Sequence, residues 1–365
     1  MARVVAVANV VVVSVAIMVL TFVPVGDRPQ REAVPARPQA ERKTERPAPH
    51  QEELLPSSAL PPPVRATRES ARRARANEAG LVPVLMYHRI VAKPRASIDR
   101  TPAQVRAELE RLAREGYVPI TAREFASGEI GVPEGTHPVV LTFDDGHSSH
   151  FGLDADGMPL PDTAVGIIFA VAQKYPRFRP VATFWVNREP FGLRDPDRQA
   201  HAVRWLTAHG FEVANHTWGH PNLRRVSKKK AREQIVRGER LLRRLGAGPS
   251  ATLALPYGSR PRDPGLARSG SWDGTKYDYK GVFLAGAEPS PPPFVKGFDR
   301  NAIMRIQSNG RKGECRRWCS AYWLDWLADH KGKRYTSDGD PERISIPEKL
   351  RGNITGKRRQ QVNAY

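Results

Sequence analysis

The feature that most narrows what this chain can fold into is an alternation of short apolar runs with segments of helical period. Val82–Tyr87, Val139–Phe143, Val181–Val186, Phe211–Asn215 and Ala251–Leu255 have the length of strands and are too short for helices. Among them lie Thr101–Glu115, with Thr101 placed to cap and Pro102 in the first turn, then Thr163–Tyr175, and Asp197–His209 closed by Gly210. Val282–Leu284 and Ala302–Ile306 follow as further strand candidates. Parallel strands need crossovers of helical length, so this order predicts β/α units with strands buried on both faces. In such folds, side chains from separate crossovers converge at the strand ends.

Two motifs stand at such ends. Residues 141–146 read Leu-Thr-Phe-Asp-Asp-Gly, and residues 215–220 read Asn-His-Thr-Trp-Gly-His. One carboxylate and two imidazoles can share a divalent cation, which leaves the second carboxylate free as a base. Plainer readings exist for each part. Asp144, Asp145 and Gly146 also suit a strand-to-loop turn, and His216 with His220 also suits a hydrogen-bonded pair in the core.

Together these residues resemble the polysaccharide deacetylases, which act on chitin, peptidoglycan and chitooligosaccharides. Thr142 to Asp145 correspond to the family's Thr-Phe-Asp-Asp, His216 to His220 to its His-Ser/Thr-x-x-His, and Pro256 to Gly258 to its Pro-Tyr-Gly, in family order. The resemblance spans about residues 81–310. It implies an incomplete, distorted (β/α) barrel and one divalent metal ion, expected to be zinc, on Asp145, His216 and His220. It makes Asp144 the general base and the backbone N–H of Tyr257 a donor to the oxyanion.

Two family elements are missing. The family commonly carries Arg two residues before the Pro of its third motif, where this chain has Ala254. No Leu-His follows that motif to provide the general acid, and the one histidine downstream, His330, closes an expected helix, Tyr322 to Asp329. His88 directly follows the first strand and is the candidate acid or substrate contact, with a structural role as the alternative. Arg305, on the last strand candidate, is the candidate replacement for the lost guanidinium; a surface arginine is the alternative.

The rest of the chain sets the context. Val4–Val25 is uncharged and spans 22 residues, enough for a bilayer core that needs roughly 20, so residues 1–26 are expected to be a membrane anchor, with a cleaved signal as the alternative. Residues 27–80, with nine prolines and ten arginines, are expected to form a disordered linker. A catalytic domain over 81–345 and a basic tail over 346–365 complete the expected organisation. The Gly-, Pro- and Asp-rich stretch Asp154–Thr163 is expected to loop over the barrel mouth as a substrate wall, or to be a decorative insertion.

The net charge of +20 favours polyanionic surroundings, an envelope polymer or membrane surface. Nucleic acid fits less well, because interleaved aromatics and a known module are lacking. Cys315 and Cys319 suit either a disulfide or two thiols.

The leading expectation is an envelope-located N-deacetylase of an N-acetylated polysaccharide, membrane-anchored or secreted. De-O-acetylation is a close variant. A non-catalytic carbohydrate-binding protein on a degenerate deacetylase fold is the contrasting one.

Overall fold

The computed structural model describes residues 55–365. The expected membrane segment Val4–Val25 lies outside the described residues, and no helix among those described is long and apolar enough to cross a membrane.

In chain order the elements are α1 (Arg68–Ala74), β1 (Val84–Tyr87), α2 (Pro102–Arg114), β2 (Tyr117–Ile120), α3 (Ala122–Ser127), β3 (His137–Phe143), α4 (Ala164–Lys174), β4 (Thr183–Val186), α5 (Pro196–Ala208) and β5 (Glu212–Asn215). There follow α6 (Lys228–Leu245), β6 (Thr252–Ala254), α7 (Gly265–Arg268), β7 (Ser269–Trp272), β8 (Thr275–Asp278), β9 (Gly281–Phe283), β10 (Ile306–Gln307), α8 (Ser320–Asp329), β11 (Ile344–Ile346) and β12 (Val362–Ala364).

The main sheet is parallel and runs β10-β1-β3-β4-β5-β6-β9, with β2 paired to the first half of β3. Its two edges nearly meet. Ile303 bridges to Phe283 on β9, and three residues later Ile306 pairs with Leu85 on β1. The curled sheet is thus the expected distorted (β/α) barrel.

Side chains alternate across this wall. Leu141 and Phe143 pack outward with residues of α2, α4 and α5, whereas Val84, Val140, Trp185, Ala214 and Ala254 belong to a second buried cluster. The same parity carries β1 on to His88, β3 to Asp144, β5 to His216 and Ile303 to Arg305. At the opposite strand ends, Glu212 accepts hydrogen bonds from the hydroxyls of Thr183 and Thr252, both at 2.8 Å.

Several expectations change. Residues 55–80 of the expected disordered linker pack onto the domain: Thr67 and Ser70 form a capping box on α1, Ala71 and Ala76 are buried, and the Ala66 N–H donates to Asp340. The tail likewise folds, pairing β12 with β11 and burying Ala364. Residues 154–163 form a small hairpin closed by the Asp154 carboxylate on the N–H groups of Asp156 and Met158. None of them lines the cavity at Asp145, so that stretch is not a wall of it. Cys315 and Cys319 are joined as a disulfide and buried.

Candidate metal and hydrolase site

His88, Asp144 and His216 each sit one residue past a strand, Asp145, His220 and Tyr257 lie in the loops that follow, and the backbone there is unusual. Asp145, Thr217, His220 and Tyr257 have φ of 74°, 67°, 52° and 58°, four of the seven positive-φ residues other than glycine among those described. Left-handed backbone at such residues costs of order 1–3 kcal/mol each and persists only where surrounding contacts impose it.

Those contacts are visible. The Asn187 amide donates to the carbonyls of His216 and Thr217 at 2.8 and 3.1 Å, and the Gln234 side chain accepts from the Gly219 N–H at 2.8 Å. The Asn215 carbonyl oxygen accepts from the Thr217 N–H at 2.7 Å, while its amide donates to Glu239 at 2.9 Å. That side chain occupies the space above Gly238, where a Cβ would lie 2.4 Å from Asn215 Oδ1. Glycine inside α6, costly by propensity, is what lets the loop anchor approach the helix.

Two adjacent carboxylates are thereby given opposite environments. Asp145 is 42% exposed at its side chain, and its Oδ1 lies 3.4 Å from His216 Nε2 and 3.3 Å from His220 Nε2. Asp144 is 4% exposed and is gripped by Arg305, at 2.7 Å to Oδ1 and 2.8 Å to Oδ2. Arg305 is itself fully buried, donates to the Leu284 carbonyl and stacks over Trp185 at 4.9 Å. The guanidinium absent at position 254 is therefore supplied by Arg305, from the segment that closes the barrel. The small Ala254 instead offers its carbonyl to His216 Nδ1 at 2.9 Å.

Burial alone would raise the Asp144 carboxyl, but Arg305 together with His216 holds it far below the usual carboxylate range. Burial alone would lower His216, yet Asp145 and Asp144 lift it above an ordinary imidazole. A field that attracts a proton there also attracts a metal cation.

The donor set fits such an ion. One ligand atom each from Asp145, His216 and His220 lie within 4.8 Å of one another. The His216 Nδ1–H is committed to a carbonyl, which leaves Nε2 as the lone pair facing Asp145, the arrangement by which a second contact orients a ligating histidine.

The remaining expectations are also placed. His88 Nε2 lies 4.0 Å from Asp144 Oδ2, and its Nδ1 is buried without a hydrogen-bond partner. Burial lowers its pKa. His150, a residue the sequence did not single out, donates from Nε2 to the His88 carbonyl at 2.6 Å and so fixes that strand end. Tyr257 is 68% exposed and its ring meets His220 edge-on at 4.6 Å. The next two N–H groups, of Gly258 and Ser259, bond to Leu255 and Pro256, whereas no such backbone bond engages the Tyr257 N–H among the described residues. His330 is elsewhere, stacked on Trp326 at the end of α8.

The polysaccharide deacetylase family model matches residues 131–269. The chain is similar to a peptidoglycan-N-acetylglucosamine deacetylase of Bacillus cereus, 25% identical over 157 residues, 43% of this chain and 50% of that protein. It is also similar to a chitooligosaccharide deacetylase of Bradyrhizobium, 29% identical over 150 residues, 40% of this chain and 57% of that one. The chain thus spans about half the length of these relatives. Among solved structures, the Streptococcus pyogenes deacetylase PplD in complex with acetate aligns with TM-score 0.45 and 17% identity, covering 62% of this chain and 91% of that chain.

Proposed function

We propose that the protein is a metal-dependent hydrolase that removes N-acetyl groups from an N-acetylated cell-envelope polysaccharide. The observation that carries this reading is the division of labour between Asp145, open and facing two imidazoles, and Asp144, buried and held by Arg305. A divalent cation on Asp145, His216 and His220, zinc by its donor set, would polarise the acetamido carbonyl and acidify water.

The protein's own groups do the rest. Asp144 takes the proton from the attacking water, with Arg305 keeping its carboxylate ionised and oriented. The Tyr257 N–H donates to the oxyanion that develops on the acyl carbon. His88, whose Nε2 lies 4.0 Å from Asp144 Oδ2, takes up the proton that Asp144 removed from water and gives it to the departing amine, without which amide cleavage stalls. The recovery of a guanidinium through Arg305 weighs against the non-catalytic alternative, because a degenerate site has no need to hold Asp144 ionised.

Location outside the cytoplasm, anchored through Val4–Val25, belongs to the same proposal and rests on sequence alone. The full-length protein should then sediment with membranes and keep Met1 or Ala2 at its amino terminus. A mature terminus beyond residue 26 in soluble protein would reject the anchor.

The activity itself is tested by acetate release from peptidoglycan and from chitin oligomers by the zinc-loaded chain. Release from at least one of them is expected. Absence of release from both, with the ion bound, would reject the proposal.

A further inference from the structure

The two flanks of the site are built differently. One is a cavity of about 470 Å³ whose lining includes Asn187, Arg188, Glu189 and Trp218 beside Asp145 and His220. Its charges are balanced within the protein, with Glu189 3.7 Å from Arg188 and 3.9 Å from Arg194. The other flank is a cavity of about 780 Å³ lined by Asn222, Arg224, Arg225, Ser259 and Arg262. Asn222 lies two residues beyond His220, and Ser259 two beyond Tyr257, so the two loops that shape the site also carry these arginines.

No carboxylate lines this second cavity. Asp263, the adjacent acid in sequence, is engaged by Lys228 at 3.4 Å, and none of the three arginine side chains makes a salt bridge among the described residues. Three guanidinium groups around one concavity repel each other, and a bound oxyanion relieves that repulsion while accepting paired N–H bonds from the planar forks. The overall charge of +20 attracts polyanions everywhere, but this hollow beside the hydrolytic centre gathers three arginines with no carboxylate in its lining.

We infer that Arg224, Arg225 and Arg262 form a subsite for a carboxylate or phosphate carried by the glycan on a sugar neighbouring the one that is deacetylated. The inference rests on the deacetylase reading and makes the substrate an anionic polymer in preference to a neutral one. The arginines are positioning residues, since they meet the glycan away from the reacting carbonyl.

The test compares kcat/KM on three oligomers of equal length: a neutral chitin oligomer, one bearing a carboxylate on alternate sugars and one bearing a phosphate. At least one anionic oligomer should be preferred by about tenfold or more, chiefly through KM, with the preference shrinking as salt is raised. The carboxylate and phosphate arms identify which oxyanion is read. In Arg224→Gln/Arg225→Gln/Arg262→Gln the ratio of anionic to neutral kcat/KM should fall toward one, a ratio that cancels any loss of folded protein. Equal use of all three oligomers by the wild type, or an unchanged ratio in the variant, would overturn the inference while leaving deacetylation intact. Failure of the metal-loaded wild type to cleave any of them would instead overturn the deacetylase reading, and the subsite with it.

Discussion

The two ends of the barrel use polar residues in opposite ways. At the first residues of the strands, Glu212 is fully satisfied by Thr183, Thr252 and the Arg123 N–H, and His137 gives its ring nitrogen to the Tyr335 carbonyl. Past the last residues, Asp145 lies 3.4 Å from His216 and 3.3 Å from His220, and His88 lies 4.0 Å from Asp144, with Asp145, Thr217 and His220 held in left-handed conformations. Glu212 and His137 have their partners within the fold. The end bearing Asp145 keeps unmet bonding capacity, and this is the mark of a place where something must bind. Asp144 shows that the contrast is local, since Arg305 saturates it within a bond of the open Asp145.

This comparison predicts which replacements damage chemistry and which damage the fold. The largest effect is expected from Asp144→Asn, which should retain the ion and lower kcat by about two to four orders of magnitude, the usual weight of general acid-base catalysis. Near-normal turnover of the metal-loaded variant would remove Asp144 from the role of base.

Next comes His88→Ala, measured on an amide and on an activated ester. Amide cleavage should fall about a hundredfold, since an amine must be protonated to leave, and ester cleavage should fall far less. Equal losses would make His88 a positioning or metal-supporting residue, and no loss would make it structural.

At the opposite end, Glu212→Ala should cost about 1–3 kcal/mol by leaving the Arg123 N–H and two hydroxyls without their acceptor. Its kcat per folded molecule should be near that of the wild type. A large loss of kcat with unchanged stability would erase the distinction between the ends.

The smallest effect is a pH limb. Burial holds His137 down to about 4 against an ordinary 6.5, so keeping it neutral stabilises the fold fully above about 6.5. That contribution is lost progressively as the pH falls through about 4. Unfolding followed by denaturant titration should show a shallower acid limb in His137→Gln, and identical limbs would remove His137 from the account.

Much of the open end was legible because strand parity is local. An apolar run followed by Asp-Asp or by Asn-His places those side chains at a predictable edge and face, and the same reasoning placed His88 and Arg305. What escaped was the support. Asn187, Gln234 and His150 act through side-chain bonds to distant backbone, and no spacing in the sequence announces such pairs. The isolated Gly238 inside a helical pattern was a usable sign of close approach, as was Asp273-Gly274 for the hairpin of β7 and β8, where both residues have positive φ.

Strand β2 was hidden by Pro119, which ordinarily argues against a strand. Composition misjudged residues 55–80 because a capping box and the buried Ala66, Ala71 and Ala76 suffice to dock a short helix that is otherwise mostly charged.

The most direct test of the central claim is elemental analysis of the purified folded chain beside His216→Ala. The wild type should carry about one divalent ion per chain, and His216→Ala, with its secondary structure intact, should lose it, because only two of the three protein ligands, Asp145 and His220, would remain. Retention of a full equivalent by the variant, or no ion in the wild type after zinc loading, would contradict the assignment of Asp145, His216 and His220 as the metal centre.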